Sequence, residues 1–267
     1  MSTENHSRTS PFIHPTAIIE IGATLAPDVS VGPYAYVGAG VVLGPGCVVH
    51  HHATVEGNVV MGRDNHVWPY ALIGGKTHDL KFKGGNPGLR VGDNNDFREY
   101  VTVHPATDDG KFTIIGNHNH LLAYSHVAHD CALGDHIVMS GQNALAGHVT
   151  VGDHAVIAWG AGVHQYCRVG CYAMVGGMSR NTKDIPPYMI TEGVPAVVRA
   201  VNKVNLERNG FTPEQITRIG RAHRIFYRDG LNRTQALEKL KTTPDLMESP
   251  EVRNIVAFYE TSERGVA

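Results

Sequence analysis

The sequence predicts an all-β fold, a parallel β-helix, followed by a small α-helical C-terminal region. Apolar residues, mostly aliphatic, return at every sixth position over 13–73, 91–103 and 115–175. A hexapeptide repeat of this kind indicates a solenoid in which each hexad is one short strand and one corner. The period matches neither the 3.6 residues of an α-helix nor the simple alternation of a flat strand.

Each hexad is predicted to point two side chains into the solenoid. The residue four places after the apolar one is usually small, as at Ala35, and glycine often follows the apolar residue, as at Gly44, where a Cβ would strain a tight corner. Three hexads make one triangular coil, and stacked coils lie about 4.8 Å apart. Cys47, Cys131 and Cys167 occupy small inward positions, so packing explains these thiols better than chemistry does.

Two polar segments interrupt the repeat, near 74–90 and 105–112. Both are rich in glycine or proline, and they predict loops that leave the solenoid. A solenoid that projects loops at fixed positions often uses them for binding. Tolerated surface insertions are the commoner alternative.

The solenoid is predicted to cover 12–190, after a disordered tail at 1–11, and a helical region is predicted over 191–267. Asp184–Tyr188 indicates an extended exit, and the composition becomes helical from about Ala196. Thr212, Pro213 and Gln215 indicate a helix start with a capping box. Helices are expected at about 213–228, 233–241 and 250–262.

Composition restricts the classes of function. The formal net charge of −2 implies neither a nucleic-acid surface nor a broad membrane-binding face. No apolar run is long enough to span a bilayer, and the first residues, MSTENHSRTSP, lack the apolar stretch of a secretion signal. Four cysteines without a CxxC pair fit a reducing compartment, so we expect a cytoplasmic protein without stable membrane insertion.

The most informative functional motif is SHVAHDC, in which Asp130 directly follows His129. One coil later, Gly147 is expected to stack on His129 and His148 on Asp130. Counting residues in coils of eighteen, which we call coil arithmetic, predicts that seven residues lie on one side of the solenoid: His126, His129, Asp130, Gly147, His148, His164 and Gln165. A histidine with a carboxylate partner suits general-base catalysis. No serine or cysteine is placed as a nucleophile, so direct attack by a substrate hydroxyl is the simpler mechanism.

Several motifs carry a resemblance to a known family. HVAHDC, LAGHV, VHQYC, MVGG and DIPPY follow one another in this order, and HDLKF, GRDN and RNGF agree with them. Over residues 12–265 the chain resembles the UDP-N-acetylglucosamine 3-O-acyltransferases of lipid A biosynthesis. The resemblance implies a left-handed β-helix, a homotrimer, and transfer of a 3-hydroxyacyl chain from acyl carrier protein to the 3-hydroxyl of UDP-N-acetylglucosamine. It implies no further cofactor and no metal.

The resemblance also implies roles for individual residues. His129 matches the general base, Asp130 the carboxylate that orients it, and Gly147 the glycine whose N–H stabilises the oxyanion. The remaining matches concern substrates: Asp79 and Lys81 for the sugar and acyl chain; His126, His148 and His164 for positioning; Gln165, Asn202 and Arg208 for nucleotide or phosphate; and Gly177 for the end of the acyl-chain groove.

Three departures from the family pattern bear on these contacts. Asn209 follows Arg208 where two consecutive basic residues are usual, and Val204 stands where glutamate is common. Pro105-Ala106 replaces the usual Arg-Gly. The sequence therefore leaves open the preferred chain length and the details of nucleotide and carrier-protein contact.

Three alternatives remain at the level of sequence. A γ-type carbonic anhydrase would use histidines as zinc ligands, but its two histidines five positions apart are absent, since His126 and His129 are three apart. A non-catalytic scaffold would tolerate His129→Ala. A related acyltransferase would act on a 3-amino sugar nucleotide and form an amide.

Overall fold

The computed structural model describes residues 10–267. Most of the predicted tail, residues 1–9, lies outside the described residues. Short strands stack into three parallel sheets that form the faces of a prism, which is the left-handed parallel β-helix implied by the resemblance. A small helical region follows the prism.

The strands are given by sheet, in stacking order. The first sheet contains Phe12–Ile13, Ser30–Val31, Val48–Val49, His66–Val67, Asp96–Phe97, His120–Leu121, Val138–Met139, Val156–Ile157, Met174–Val175, Met189–Gly193 and Ala196–Val201. The second contains Ile18–Ile19, Tyr36–Val37, Thr54–Val55, Leu72–Ile73, Thr102–Val103, His126–Val127, Ala144–Leu145, Gly162–Val163 and Arg180–Asn181. The third contains Thr24–Leu25, Val42–Leu43, Asn58–Met61, Gly88–Val91, Phe112–Ile115, Ala132–Leu133, Thr150–Val151 and Arg168–Val169.

The predicted repeat sets the register of the prism. Within the second sheet, Val127 pairs with Leu145 and Leu145 with Val163, so neighbours differ by one coil. Apolar hexad residues form a single core column that begins at Val29 and ends at Ile185. The three predicted inward cysteines are buried in it, which confirms their packing role.

Glycine at the corners has a different reason from the one predicted. Gly44 does not adopt a left-handed backbone conformation, but a Cβ there would lie 2.4 Å from the carbonyl oxygen of Gly62 in the next coil. The close approach of stacked backbones therefore excludes a side chain. The left-handed conformation falls two residues later, on Gly46 (φ 72°) in this corner and on non-glycine residues such as Asp64 (φ 54°) and Tyr70 (φ 63°) in others.

Both predicted loops leave the prism at the corner between the second and third sheets. Residues 74–87 join Leu72–Ile73 to Gly88–Val91, and residues 104–111 join Thr102–Val103 to Phe112–Ile115. The corner that carries His129 joins the same two sheets. Loops and histidine therefore meet along one edge of the prism.

The segment after the prism differs from the prediction of helix from about Ala196. Met189–Gly193 and Ala196–Val201 form an antiparallel hairpin that continues the first sheet. The second strand contains Val197, Val198 and Val201, and β-branched residues favour a strand. The hairpin extends the sheet at the end of the prism, where a free strand edge would otherwise be open to pairing with other chains.

Five helices follow: α1 (Lys203–Arg208), α2 (Pro213–Tyr227), α3 (Arg233–Lys241), α4 (Pro244–Met247) and α5 (Pro250–Glu260). The capping box at the start of α2 is confirmed, because Thr212 Oγ1 accepts from Gln215 N at 3.2 Å and Gln215 Oε1 accepts from Thr212 N at 2.8 Å. The short helices α1 and α4 were not predicted. Within residues 10–267, no helix combines the length and apolar character needed to cross a bilayer.

Candidate active site

The candidate site centres on His129 and Asp130, at the corner after strand His126–Val127. Asp130 has a left-handed backbone conformation (φ 59°), and its N–H donates to Thr113 Oγ1 at 2.9 Å. Both side chains are largely buried, with exposed fractions of 16% for His129 and 15% for Asp130. The corner therefore holds a shielded imidazole and carboxylate next to each other.

Hydrogen bonds define the orientation of the imidazole. Nδ1 of His129 lies 2.8 Å from Asp130 Oδ2 and 3.1 Å from Thr107 Oγ1. The Thr107 hydroxyl donates to Asp79 Oδ2 at 3.1 Å, so towards His129 it acts as an acceptor. Nδ1 therefore carries the proton and donates it, and Nε2 remains as the basic nitrogen.

Both carboxyls of this network are held in the ionised form. Burial alone would raise the pKa of Asp130, but hydrogen bonds from His129 and Thr107 outweigh it and lower the pKa. The pKa of Asp79 is lowered first by the backbone N–H of Lys81 and also by the Thr107 hydroxyl. Asp130 can therefore stabilise an imidazolium at His129.

Gly147 lies directly against the imidazole, as coil arithmetic predicted. A Cβ at this position would lie 2.4 Å from Cε1 and 2.6 Å from Nε2 of His129. Any side chain would therefore displace the ring or block its basic nitrogen. His148 lies one coil above Asp130, as expected. Its backbone N–H donates to the His129 carbonyl at 3.0 Å, and its ring Nε2 lies 3.7 Å from Asp130 Oδ2.

A groove along the second sheet forms a cavity of about 570 Å³ that His126 and His164 line together. Ala144, Ala146 and the exposed side chain of Met178 also line it, and these apolar surfaces suit an alkyl chain. His164 Nδ1 is 3.2 Å from Arg264 Nη2 in the C-terminal segment. Gln165 is exposed beside His164, and its side chain makes no hydrogen bond to His129 or Asp130 among the described residues.

Gly177 lies at the far end of this groove. Its neighbours Met178 and Ser179 line the cavity. The position is exposed, and a Cβ there would lie 3.2 Å from the carbonyl oxygen of Trp159. A side chain at Gly177 would therefore be close against the Trp159 backbone, beside the exposed side chains of Trp159 and Met178.

The first loop brings only one of its two predicted residues to the imidazole. Asp79 Oδ2 lies 3.9 Å from His129 Nδ1, whereas the side chain of Lys81 is exposed and the residue contributes its backbone N–H to Asp79 Oδ1 at 2.9 Å. Thr107, in the second loop, connects Asp79, His129 and Asp130, and sequence reasoning missed it. The loops interrupt the hexad count, so coil arithmetic gives no position for Thr107.

Asn202 and Arg208 line a separate cavity of about 410 Å³ beside the hairpin and α1. Asn202 is buried, and its side-chain amide donates to the carbonyl of Tyr172 at 2.9 Å. Although Asn202 stands at the N-cap position of α1, its side chain makes no cap bond. Within one chain these two residues are thus not brought to His129.

A cysteine nucleophile is excluded at this corner. The Cys131 thiol is buried and lies 3.2 Å from the carbonyl oxygen of Ala146, to which it donates. Burial raises the pKa of Cys131 to about 12. The prediction of direct attack by a substrate hydroxyl is therefore consistent with the site.

Two groups of side chains among the described residues are arranged so that they could hold a metal: Asp79, His129 and His148, and His78, His104 and His126. Burial lowers the pKa of His126 to about 4, with the neighbouring imidazoles of His104 and His78 contributing further. His78 and His104 were not among the predicted site residues. They lie on the two loops, which the hexad count does not cover.

Comparison with known proteins gives the family. The model described as UDP N-acetylglucosamine O-acyltransferase, domain 2, matches residues 184–267. An acyl-(acyl-carrier-protein)–UDP-N-acetylglucosamine O-acyltransferase of Xylella fastidiosa is 45% identical over 263 residues, which are 97% of this chain and 98% of that protein. The chain belongs to the UDP-N-acetylglucosamine O-acyltransferase family. An enzyme of the same description from Stenotrophomonas maltophilia strain R551-3 is 47% identical over 96% of this chain and 97% of its own length.

Solved structures of this acyltransferase family agree with the fold. The Acinetobacter baumannii protein superimposes with a TM-score of 0.92 at 36% identity, over 96% of this chain and 99% of its own. The agreement extends through the prism and the helical region. The resemblance drawn from the motifs is thereby confirmed, and it favours an acyltransferase over the carbonic anhydrase alternative.

Proposed function

We propose that the protein transfers a 3-hydroxyacyl chain from acyl carrier protein to the 3-hydroxyl of UDP-N-acetylglucosamine, the first step of lipid A biosynthesis. The observation that carries the mechanism is the His129–Asp130 pair with Gly147 against its ring. Family membership supports the reaction class and both substrates. The apolar groove beside His126 supports an acyl chain as the transferred group.

Proton transfer follows from the tautomer of His129. Nε2 removes the proton from the sugar 3-hydroxyl while the oxygen attacks the thioester carbonyl of the acyl carrier protein. Nδ1–H continues to donate to Asp130 Oδ2, which stabilises the imidazolium. As the tetrahedral intermediate collapses, Nε2–H returns the proton to the departing thiolate, so the ester, the free thiol and the neutral base are formed together.

The oxyanion of the intermediate requires hydrogen-bond donors close to Nε2. Gly147 is adjacent to Nε2, and within residues 10–267 its backbone N–H has no hydrogen-bond acceptor. We assign this N–H to the oxyanion hole. Donors of this kind contribute about 2.7–4 kcal/mol to transition-state stabilisation.

Nucleotide recognition requires a second subunit in this proposal. Asn202 and Arg208 lie at a cavity separate from His129. In the proposed homotrimer, the cavity of one subunit faces the His129 corner of the next. Gln165 and His164 are exposed beside the groove, where a sugar nucleotide could contact them. Asp79 and Lys81 on the first loop are assigned to the sugar and acyl chain. The reaction needs no resident cofactor, and we place it in the cytoplasm.

The test is to incubate the purified protein with UDP-N-acetylglucosamine and carrier proteins bearing acyl chains of different lengths, and to identify products by mass spectrometry. The expected product is a monoacylated sugar nucleotide whose ester is cleaved by mild base. A product that forms only with the 3-amino sugar nucleotide and resists mild base would show the amide-forming alternative. Absence of product with every donor and both acceptors would overturn the proposal.

A further inference from the structure

Three imidazoles converge between the two loops and the second sheet, a group we call the histidine cluster: His78, His104 and His126. One ring nitrogen of each lies within 4.8 Å of those of the other two. Ring centroids are 3.8 Å apart for His78 and His104 and 5.4 Å apart for His104 and His126. The general-base mechanism uses neither His78 nor His104.

The orientation of His104 points a lone pair into this cluster. The side chain is 2% exposed, and Nδ1 lies 3.1 Å from the carbonyl oxygen of Gly75 and 3.0 Å from that of Lys76. Carbonyl oxygens only accept, so Nδ1 carries the hydrogen and Nε2 is an unprotonated acceptor. Among the described residues Nε2 is buried and has no hydrogen-bond partner. A buried acceptor without a partner is costly, and a ligand that accepts its lone pair would relieve that cost.

His126 has a comparable arrangement. Its Nδ1 lies 2.8 Å from Thr102 Oγ1, and Nε2 takes no part in that hydrogen bond. A ring nitrogen bonded to a neighbouring oxygen while the other faces a shared space is the usual arrangement of metal-binding histidines. His78 is exposed on the first loop and can complete the set.

We propose that His78, His104 and His126 bind a Zn²⁺ ion that reversibly inhibits the enzyme. Three imidazoles and one water give tetrahedral zinc, with Zn–N distances of about 2.0–2.1 Å. Ring nitrogens in such a site are closer than 4.8 Å, so the cluster must contract slightly, and the loop that carries His78 is the part that can move. The catalytic reaction is predicted to be metal-free, so this site is distinct from it.

Inhibition follows from two connections, and this consequence depends on the proposed function. His126 lines the groove assigned to the acyl chain, so an ion on it would obstruct the entrance. His78 immediately precedes Asp79, which Thr107 connects to His129. Contraction around an ion would therefore also disturb the network that orients the general base.

The other candidate group, Asp79, His129 and His148, is less suited to zinc. The nitrogen of His129 that lies near Asp79 is Nδ1, 3.9 Å from Asp79 Oδ2, and this nitrogen already donates to Asp130. Asp79 already accepts from Thr107 and from the backbone of Lys81. An ion there would have to displace bonds that are already made. The histidine cluster instead offers a nitrogen that has no partner among the described residues.

The test uses the full-length protein and isothermal titration with Zn²⁺ after treatment with EDTA. Wild type is expected to bind one ion per chain, and His78→Gln is expected to weaken binding at least tenfold. The matched control His118→Gln, outside the cluster, is expected to bind as wild type does. Co²⁺ is expected to give visible d–d bands of tetrahedral coordination in wild type that His78→Gln loses.

Activity is then measured with and without Zn²⁺, relative to the rate of each variant in EDTA. Inhibition is expected in wild type and His118→Gln and is expected to weaken in His78→Gln. Equal zinc affinity in wild type and His78→Gln, or no stoichiometric binding by wild type, would overturn the site. Weakened binding in His148→Gln but not in His78→Gln would place the ion at the other group. Titration and cobalt spectra need no turnover. A failure of the acyltransferase assignment can therefore be distinguished from a failure of the zinc site.

Discussion

His129 Nδ1 lies 2.8 Å from Asp130 Oδ2 although the two residues are neighbours in sequence. In an extended strand, neighbouring side chains point to opposite faces. The left-handed conformation of Asp130 turns the chain at the corner, so its carboxylate returns to the preceding imidazole. The pair therefore depends on a corner of the β-helix.

Replacement of His129 by alanine is expected to lower kcat/KM by about 10²–10⁴-fold, because that is the usual contribution of a positioned general base. The side chain is at a corner and outside the core column, so the melting temperature is expected to change little. Steady-state kinetics and thermal unfolding check both expectations. His118→Ala is the control, and retention of wild-type activity by His129→Ala would contradict the general-base role of His129.

Gly147→Ala is expected to lower kcat/KM by about 10²-fold or more, because misplacement of a catalytic group by about 1 Å can have that effect. The new methyl would lie 2.4 Å from Cε1 of His129. Gly220→Ala in α2 is the matched control, since a Cβ there meets nothing within 4 Å outside its own helix. It is expected to leave activity unchanged and to stabilise the protein by about 0.5–1 kcal/mol. Equal activity of the two variants would contradict the assigned contact.

Thr107→Val removes the hydroxyl that connects Asp79 with His129 at nearly constant volume. A hydrogen bond to a charged group contributes about 1.5–3 kcal/mol, so kcat is expected to fall about tenfold or more with little change in KM. Thr217→Val, on the exposed face of α2, is the control. A change confined to KM or to stability would show that Thr107 does not position the base.

Replacement of Gly177 by leucine is expected to shift donor preference towards shorter acyl chains. The side chain would fill the far end of the groove beside Trp159. Each methylene excluded from an apolar site changes binding by about 0.8 kcal/mol, so two carbons amount to about tenfold in kcat/KM. Competition between carriers with chains of different length measures the shift. An unchanged profile would mean that the chain ends elsewhere.

The fold is expected to lose stability in mild acid because of His126. Its pKa is lowered to about 4, mainly by burial, whereas the unfolded chain has a pKa of about 6.5. Between these values the unfolded chain binds more protons, so the free energy of unfolding falls as the pH falls through this window. The loss is about 1–3 kcal/mol, since one pKa unit corresponds to about 1.4 kcal/mol and the ring is partly exposed.

Urea unfolding at pH 7.5 and pH 4.5, followed by circular dichroism, measures this loss. His126→Asn is expected to reduce the pH dependence relative to wild type. His118→Asn is expected to retain it. Identical pH dependence in wild type and His126→Asn would show that another group is responsible.

The sequence by itself determined the prism and the columns within it. Coils without an inserted loop have the same length, so residues eighteen apart stack there, and this placed Gly147 on His129 and His148 on Asp130 without coordinates. The capping box at Thr212 could also be predicted, because its two hydrogen bonds join residues only three apart in sequence. Repetition and local hydrogen bonding are properties that can be read along a chain.

Only the tertiary structure decided the contacts made by the loops and the tail. Thr107, His78 and His104 lie on segments of irregular length, where no period specifies which atoms meet. The strand at Ala196–Val201 forms because it pairs with Met189–Gly193 and so extends the first sheet, and that pairing overrides the local composition. These contacts join residues whose sequence separation is not a multiple of the repeat, and folding alone brings them together.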